Sequence, residues 1–239
     1  MANDGGRWPG KARRVPPPGT PTRPLLDALS TWLRTQAAEV HAERGAYRVL
    51  DVGCGVKPYY PWFEPYAAEY VGLDIAENEA ADLQGTIESI PAEDASFDVV
   101  VCTQVLEHCD DPARGVRELR RVVRPGGRVL LSTHGVQVYH PAPHDLWRWT
   151  HEGLERLFLT NGTWSSVSVQ PSVGTAATLA ILLSTYIDLA ARRAHVGPVG
   201  RVLVRALHAG AAALDARAAV LREPGPGTLH ANYHVTAVA

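Results

Sequence analysis

The chain is short of net charge, of cysteine and of long apolar runs, and each shortage removes a class of function. Its 23 Lys and Arg nearly balance its 25 Asp and Glu, giving a formal net charge of -2. No global positive field draws it to nucleic acid or anionic lipid, although that balance leaves room for a local basic patch. No basic stripe with interleaved aromatics is present, so no nucleic-acid partner is expected. The three cysteines, Cys54, Cys102 and Cys109, form no CxxC pair and no zinc spacing. Their scatter fits a reducing compartment, and a cytoplasmic location is expected. The first arginines lead into Pro16, Pro17 and Pro18 rather than an apolar stretch, unlike a secretory signal. The longest apolar stretch, 176–187, contains Thr178, Ser184 and Thr185 and is closed by Asp188. A bilayer crossing needs about 20 apolar residues, so a buried helix is expected there and no membrane span.

What is present reads as one α/β domain. A chain of 239 residues is long enough for one well-buried core and short for two full domains. Residues 1–22, rich in Gly, Pro and Arg, show no period and read as a flexible arm that packing could order in part. Residues 23–239 read as a single domain. Within it, Leu25, Leu26, Leu29, Leu33, Ala37 and Val40 recur at helical spacing and predict a helix over 24–44. Strands are predicted at 47–52, 70–73, 97–103 and 128–132, with a helix over 113–123 stopped by Pro125-Gly126-Gly127. That alternation is the signature of a parallel sheet with right-handed crossovers. A helix over 149–159 and a strand over 165–170 follow. Two Ala- and Leu-rich helices then fill about 174–223 as an insertion before a closing strand at 232–238. The insertion is expected either to cover the cleft or to form a subunit interface, which would make the protein a homodimer.

The most informative stretch is Val49-Leu50-Asp51-Val52-Gly53-Cys54-Gly55. Two glycines one residue apart, directly after a buried strand, let the backbone turn tightly and approach a ligand. The loop is not the GxxxxGK that cradles phosphates. Pro58 stands where a dinucleotide loop would place its third glycine, which argues against NAD or FAD. Asp51 would repel a pyrophosphate and attract an ammonium group. Asp74, about 20 residues further on at a strand end, is placed to accept ribose hydroxyls. An adenosine cofactor with an amino-acid end fits this pattern.

The same residues carry a family resemblance. Leu50-Asp51-Val52-Gly53-Cys54-Gly55 resembles the first motif of class I S-adenosylmethionine-dependent methyltransferases of the small-molecule type, and Val71-Gly72-Leu73-Asp74-Ile75 resembles their acidic ribose motif. Ser96-Phe97-Asp98-Val99-Val100, Gln104-Val105-Leu106-Glu107-His108 and the run 119–129 resemble the later motifs, in order, over about 48–132. The resemblance implies a Rossmann-like, seven-stranded, mostly parallel sheet with a reversed C-terminal hairpin. It implies S-adenosyl-L-methionine as cofactor. Asp51, Gly53 and Gly55 would line its methionine end, with Tyr59 reaching toward it. Asp74 would hold the ribose, and Ile75 would lie against adenine. Thr86 stands where the family often has an acid for the adenine amino group; Ile87 backbone and the Thr86 or Glu88 side chain would take over that contact. Gln104, Leu106, Glu107 and His108 would border the sulfonium and the amino-acid end.

The acceptor side is expected in His140-Pro141-Ala142-Pro143-His144-Asp145-Leu146-Trp147-Arg148-Trp149, at the carboxyl edge of the sheet. His144 is a candidate general base, stabilised by Asp145, because histidine titrates near neutral pH. His108 and His134 are further candidates. His140, Trp147, Arg148 and Trp149 are candidate acceptor contacts. A scaffold reading competes, in which Asp145 pairs with Arg148 and the tryptophans pack. The histidines raise a metal question, but Asp145 alone does not make the oxygen-rich set that magnesium takes, so none is expected. The N-terminal helix near Trp32 and Gln36 is expected over the cleft. The favoured reading is O-methylation of a small metabolite in specialised or sugar metabolism. N- or C-methylation, a nicotinamide-dependent oxidoreductase and a non-catalytic cofactor-binding protein are the alternatives.

Overall fold

Alternating apolar residues decide the layers. The computed structural model describes residues 9–75, 78–141 and 144–239. Its elements are α1 (Lys11–Arg14), α2 (Arg23–Arg44), β1 (Tyr47–Val52), α3 (Tyr60–Phe63), β2 (Ala67–Asp74), β3 (Leu83–Gln84) and β4 (Phe97–Thr103). A 3-10 turn at Leu106–His108 leads to α4 (Pro112–Val122), β5 (Val123–His134), α5 (His151–Asn161) and β6 (Ser166–Pro171). Then come α6 (Thr175–Arg193), α7 (Gly197–Arg217) and β7 (Asn232–Val238). Side chains alternate across a strand, and here both sets are apolar, as a sheet covered on two faces requires. Val49, Val99, Val101 and Leu130 meet Leu29, Leu33, Ala37 and Val40 of α2. Leu50, Val52, Val100, Cys102, Val129 and Leu131 meet Val116, Leu119 and Val122 of α4 and Leu154 and Phe158 of α5.

The seven strands run in the order β3-β2-β1-β4-β5-β7-β6. All pairs are parallel except those of β7, which runs antiparallel to both β5 and β6. The reversed hairpin and the helical insertion before the last strand are therefore as expected. Strand order reverses between β1 and β4, and ligands bind beyond the carboxyl ends of strands at such a switch point. Helix ends are set locally. The Asp111 carboxylate accepts from Arg114 N at 2.9 Å, with Pro112 opening α4. The Thr150 hydroxyl accepts from Gly153 N at 3.1 Å to start α5.

Two stretches differ from the sequence reading. Strand β5 begins at Val123 and runs through Pro125-Gly126-Gly127, where a turn was expected. Register slips between Phe97 and Val99 of β4, and Gly126 takes a φ of 73°. The irregular stretch is held by the chain end, through Gly126 N to Ala239 O at 2.7 Å and Ala239 N to Gly127 O at 3.0 Å. Strand β2 starts earlier than predicted, at Ala67, because Tyr47 and Arg48 at the start of β1 pair with Ala67 and Glu69 across a register shift.

The described part of the arm packs on the domain. Arg14 is buried and donates to the carbonyls of Pro9 and Pro58, both at 2.6 Å. Ser30 Oγ of α2 donates to Arg14 O at 3.1 Å. In the insertion, α6 and α7 lie close enough that a Cβ on Gly200 would be 2.4 Å from Ala191 Cβ. The buried Asp215 carboxylate of α7 caps α6, accepting from Ala176 N at 3.0 Å and Ala177 N at 2.9 Å. Among the described residues, no helix is long and apolar enough to cross a membrane.

Candidate active site

A cleft of about 690 Å3 opens at the carboxyl ends of β1, β2 and β4. That size suits a small-molecule or cofactor site. Its floor is the glycine loop. Gly53 has a φ of 69°, and a Cβ there would lie 2.2 Å from Val105 Cγ2. Only glycine meets both conditions. Gly53 N and Cys54 N donate to Leu73 O at 2.8 and 3.0 Å, which folds the loop back onto β2.

Asp74 stands at the end of β2 and lines the cleft. Its Oδ2 accepts from Gly55 N and Asn78 Nδ2, and its Oδ1 accepts from Ile75 N, all at 2.8 Å. A carboxylate has about four acceptor positions, so Oδ1 keeps capacity for a ligand hydroxyl. Ile75 beside it is 53% exposed, an apolar surface at the mouth of a polar pocket. Thr86, Ile87 and Glu88 continue the same wall. Glu88 Oε1 is engaged by Asp110 N at 2.9 Å, so this acid braces the loop before α4. A carboxylate for a diol, an apolar plate for a base and a loop stripped of side chains suit an adenosine cofactor. Gln104 has a φ of 57°, a sparsely populated conformation for a residue with a side chain. Its amide donates to Ser132 Oγ at 2.9 Å and accepts from Asn232 Nδ2 at 3.1 Å. The two bonds hold that conformation between β5 and β7.

Four residues predicted on the cofactor side lie behind the lining: Asp51, Gly55, Leu106 and Glu107. Asp51 is buried, with Tyr70 Oη donating to its Oδ2 at 2.7 Å. Burial raises its pKa to about 7, against the Tyr70 bond and the nearby Lys57 charge. Leu106 is fully buried in the core. Gly55 acts through its N–H on Asp74 rather than as cleft wall. Tyr59 does line the cleft, and burial raises its hydroxyl to about 12, so it stays protonated.

The opposite wall carries three histidines, His108, His134 and His140, with ring centroids 6.0 Å apart for His108–His140 and 6.4 Å for His134–His140. His108 Nδ1 hydrogen-bonds the main-chain carbonyl of His144. That bond fixes the tautomer with the proton on Nδ1 and leaves Nε2 as a lone pair. His134 Nε2 is 3.5 Å from Oε1 of Glu107, a side chain with no exposure. Burial raises Glu107 to about 7, while Thr133 Oγ1 donates to its Oε2 at 2.9 Å. Burial lowers His134 to about 3, so it is a neutral wall and a weak base. Among the described residues, no three His, Cys, Asp or Glu side chains are placed to hold a metal ion.

The proline-flanked loop is arranged differently from the catalytic reading. The His144 side chain is exposed and outside the lining, while its carbonyl accepts from His108 Nδ1. Asp145 is held well below the usual carboxylate range by Arg148 and also accepts from His140 N at 2.7 Å. Arg148 Nη2 donates to Asp145 Oδ2 at 2.7 Å and to Val138 O at 3.0 Å. Trp147 Nε1 donates to Cys109 O at 2.8 Å, and Trp147 stacks on Trp149 at 5.7 Å. These four side chains brace the loop that presents Gln137, Val138 and His140 to the cleft. The residues Ala142 and Pro143 lie outside the described set.

The sequence reading missed part of the wall. Arg13, Thr22, Leu25 and Leu26 enter it from the arm and the first turn of α2. The helix meets the cleft as expected, but not at Trp32 and Gln36. Trp32 instead stacks on His234 at 4.4 Å, and Gln36 Nε2 donates to Glu39 at 2.8 Å. Among the described residues lining the cleft, Arg13 is the one permanent cation. No local motif marks it; only the Arg14 anchor brings it there.

The fold and the glycine loop together form an α/β domain whose cleft lies at the carboxyl edge of the sheet and suits a nucleoside cofactor. Residues 50–131 match the methyltransferase domain family. The chain is 36% identical over 117 residues to the uncharacterized methyltransferase YcgJ of Bacillus subtilis (strain 168), covering 43% of this chain and 45% of that protein. It is 36% identical over 118 residues to the ubiquinone biosynthesis O-methyltransferase of Neisseria meningitidis serogroup A, covering 42% and 50%. The chain thus spans about half the length of these curated relatives. The crystal structure of the cyclase SpnF superposes with a TM-score of 0.54 at 20% identity, covering 87% of this chain and 81% of that one, and shows the shared fold. The similarity to methyltransferases thus rests on residues 50–131 and their surroundings, together with a shared fold.

Proposed function

We propose that the protein methylates an oxygen of a small acceptor, with S-adenosyl-L-methionine as donor and His108 as general base. The observation that carries this is the His108 ring, oriented by the His144 carbonyl and facing the same cleft as Asp74 and the glycine loop. Similarity to an O-methyltransferase of ubiquinone biosynthesis supports oxygen as the acceptor atom. Bound in the cleft, the cofactor supplies a methyl on a positive sulfonium. The residues do the rest. Asp74 accepts the ribose hydroxyls, Ile75 and the 86–88 wall flank adenine, and Arg13 takes the carboxylate of the amino-acid end. His108 Nε2 removes the acceptor's hydroxyl proton as the oxygen gains the methyl and the carbon–sulfur bond breaks. His134, His140 and Gln137 orient the acceptor. Residues 23–239 act as one catalytic unit.

His108→Gln keeps a side chain of similar reach and removes the base. Turnover is expected to fall about 10²- to 10⁴-fold on an acceptor whose hydroxyl must be deprotonated. Affinity for S-adenosylhomocysteine, read by calorimetry, should change little. Equal loss of both would make His108 a cofactor or scaffold residue. Parallel titrations with S-adenosylhomocysteine and NAD test the reading as a whole: tight NAD binding with no S-adenosylhomocysteine binding defeats it.

A further inference from the structure

The α6–α7 hairpin contributes no side chain to the cleft lining. Its inner side is accounted for. Ile181 packs with Leu25 and Ala231, and Ala176, Ala180 and Ala211 close the gap between the two helices. Arg205, Ala209 and Ala212 face a groove shared with Arg23 and Asp27 of α2.

The outer side is different. On α6, Leu179, Leu183 and Tyr186 recur at helical spacing opposite the buried Ala177, Ile181 and Ser184, and Tyr186 is 62% exposed. On α7, Val199, Leu203 and Leu214 are each more than half exposed. No charge interrupts either row. Contiguous apolar surface of this kind marks an interaction site.

Charge on the same two helices selects the partner. They carry five arginines and two aspartates. Both acids are engaged within the hairpin: Asp188 Oδ2 accepts from Arg192 at 2.6 Å, and Asp215 is buried as the α6 cap. Arg193 ends the α6 row and Arg217 ends the α7 row, both exposed and both without an acidic partner among the described residues. A second copy docked through the same hairpin brings the same two rows and the same unpaired arginines, and no free acid of its own α6 or α7 to meet them. A surface with apolar depth and negative headgroups meets both features, as it does for helices that lie in the plane of a membrane.

We propose that the outer face of the α6–α7 hairpin docks on an anionic lipid surface, lying on it without crossing it. The rows Leu179-Leu183-Tyr186 and Val199-Leu203-Leu214 enter the interface, and Arg193 and Arg217 bind headgroups. Leu25 joins the cleft wall to α6, so docking places the cleft next to the membrane-bound element.

The test uses the full chain with vesicles of phosphatidylcholine alone and vesicles that also contain phosphatidylglycerol. Co-sedimentation is expected with the second and weak with the first, and it should fall as salt rises. Leu183→Asp with Leu203→Asp should abolish it. Arg193→Gln with Arg217→Gln should weaken it roughly 25-fold, since each arginine near such a surface counts for about fivefold. Unchanged calorimetry with S-adenosylhomocysteine shows that each variant is folded. The arginine pair keeps the test decisive if the leucine pair misfolds. Absence of binding to either vesicle, or equal binding to both, overturns the proposal. So does light scattering that shows a stable dimer which Leu183→Asp converts to monomer.

Discussion

At the scale of single residues, the cofactor loop combines a conformational demand with a steric one. Gly53→Ala should be costly twice over. The left-handed backbone costs an ordinary residue about 1–2 kcal/mol, and the new Cβ collides with Val105. Adding Val105→Ala should relieve the collision and leave the conformational part, readable as partial recovery in denaturant melts. Full recovery would mean that the loop adapts its φ. Asp74→Ala removes the acceptor of three loop donors and the group proposed to accept the ribose hydroxyls. S-adenosylhomocysteine binding should weaken by about 1.5–3 kcal/mol, the range for charge-assisted bonds. Unchanged affinity would remove Asp74 from the ribose.

At the scale of elements, α2 covers one face of the sheet and also reaches the cleft with its first turn. Leu33 is fully buried between the helix and the strands. Leu33→Ala should cost about 2–5 kcal/mol, the usual range for an emptied core site. Leu33 lies about two helical turns beyond the cleft-lining Leu25 and Leu26, so cofactor affinity should fall only in conditions near the unfolding midpoint. The elements themselves were largely legible. Period in the apolar residues placed α2, α4 and the central strands, and Pro125-Gly126-Gly127 marked the end of α4. The course of β5 through Pro125-Gly126-Gly127 was not legible, because the chain end 237–239 holds that stretch and lies far away in sequence. The bracing of the 137–149 loop was half legible: the Asp145–Arg148 pair was one of the readings, while the His144 carbonyl on His108 links residues 36 apart.

At the scale of the whole molecule, four groups withdrawn from water contribute opposing pH dependences. Burial raises Asp51 and Glu107 to about 7 and lowers His134 to about 3 and His234 to about 4. A raised carboxyl binds more protons folded than unfolded, so it adds stability at low pH that is lost as pH rises toward 7. A lowered histidine binds fewer, so its stability is lost as pH falls below its ordinary value near 6.5. Between about pH 5 and 6.5 the two pairs oppose each other, and the stability contributed by these groups should be nearly flat. His234→Phe keeps a ring against Trp32 and removes one histidine from that balance. Relative to the parent, the variant should gain about 1 kcal/mol for each unit of acidification in this window. Denaturant melts at pH 5 and pH 6 read the difference, and a constant offset would show that His234 does not titrate on unfolding.

The sheet, the glycine loop and the acid at the end of β2 can be read without the tertiary structure, because these depend on local period and on residue types at short spacing. A turn that only glycine can make and an acid at a strand end are visible one segment at a time. The tertiary structure alone decided which groups face the cleft. It turned Asp51 inward onto Tyr70, set His134 against Glu107, and put the His144 carbonyl on the His108 ring. It also brought Arg13 to the cleft through a buried neighbour and left the rows on α6 and α7 facing outward. Those outcomes depend on which surfaces pack and which atoms lose water, and both are properties of contacts between segments distant in the chain.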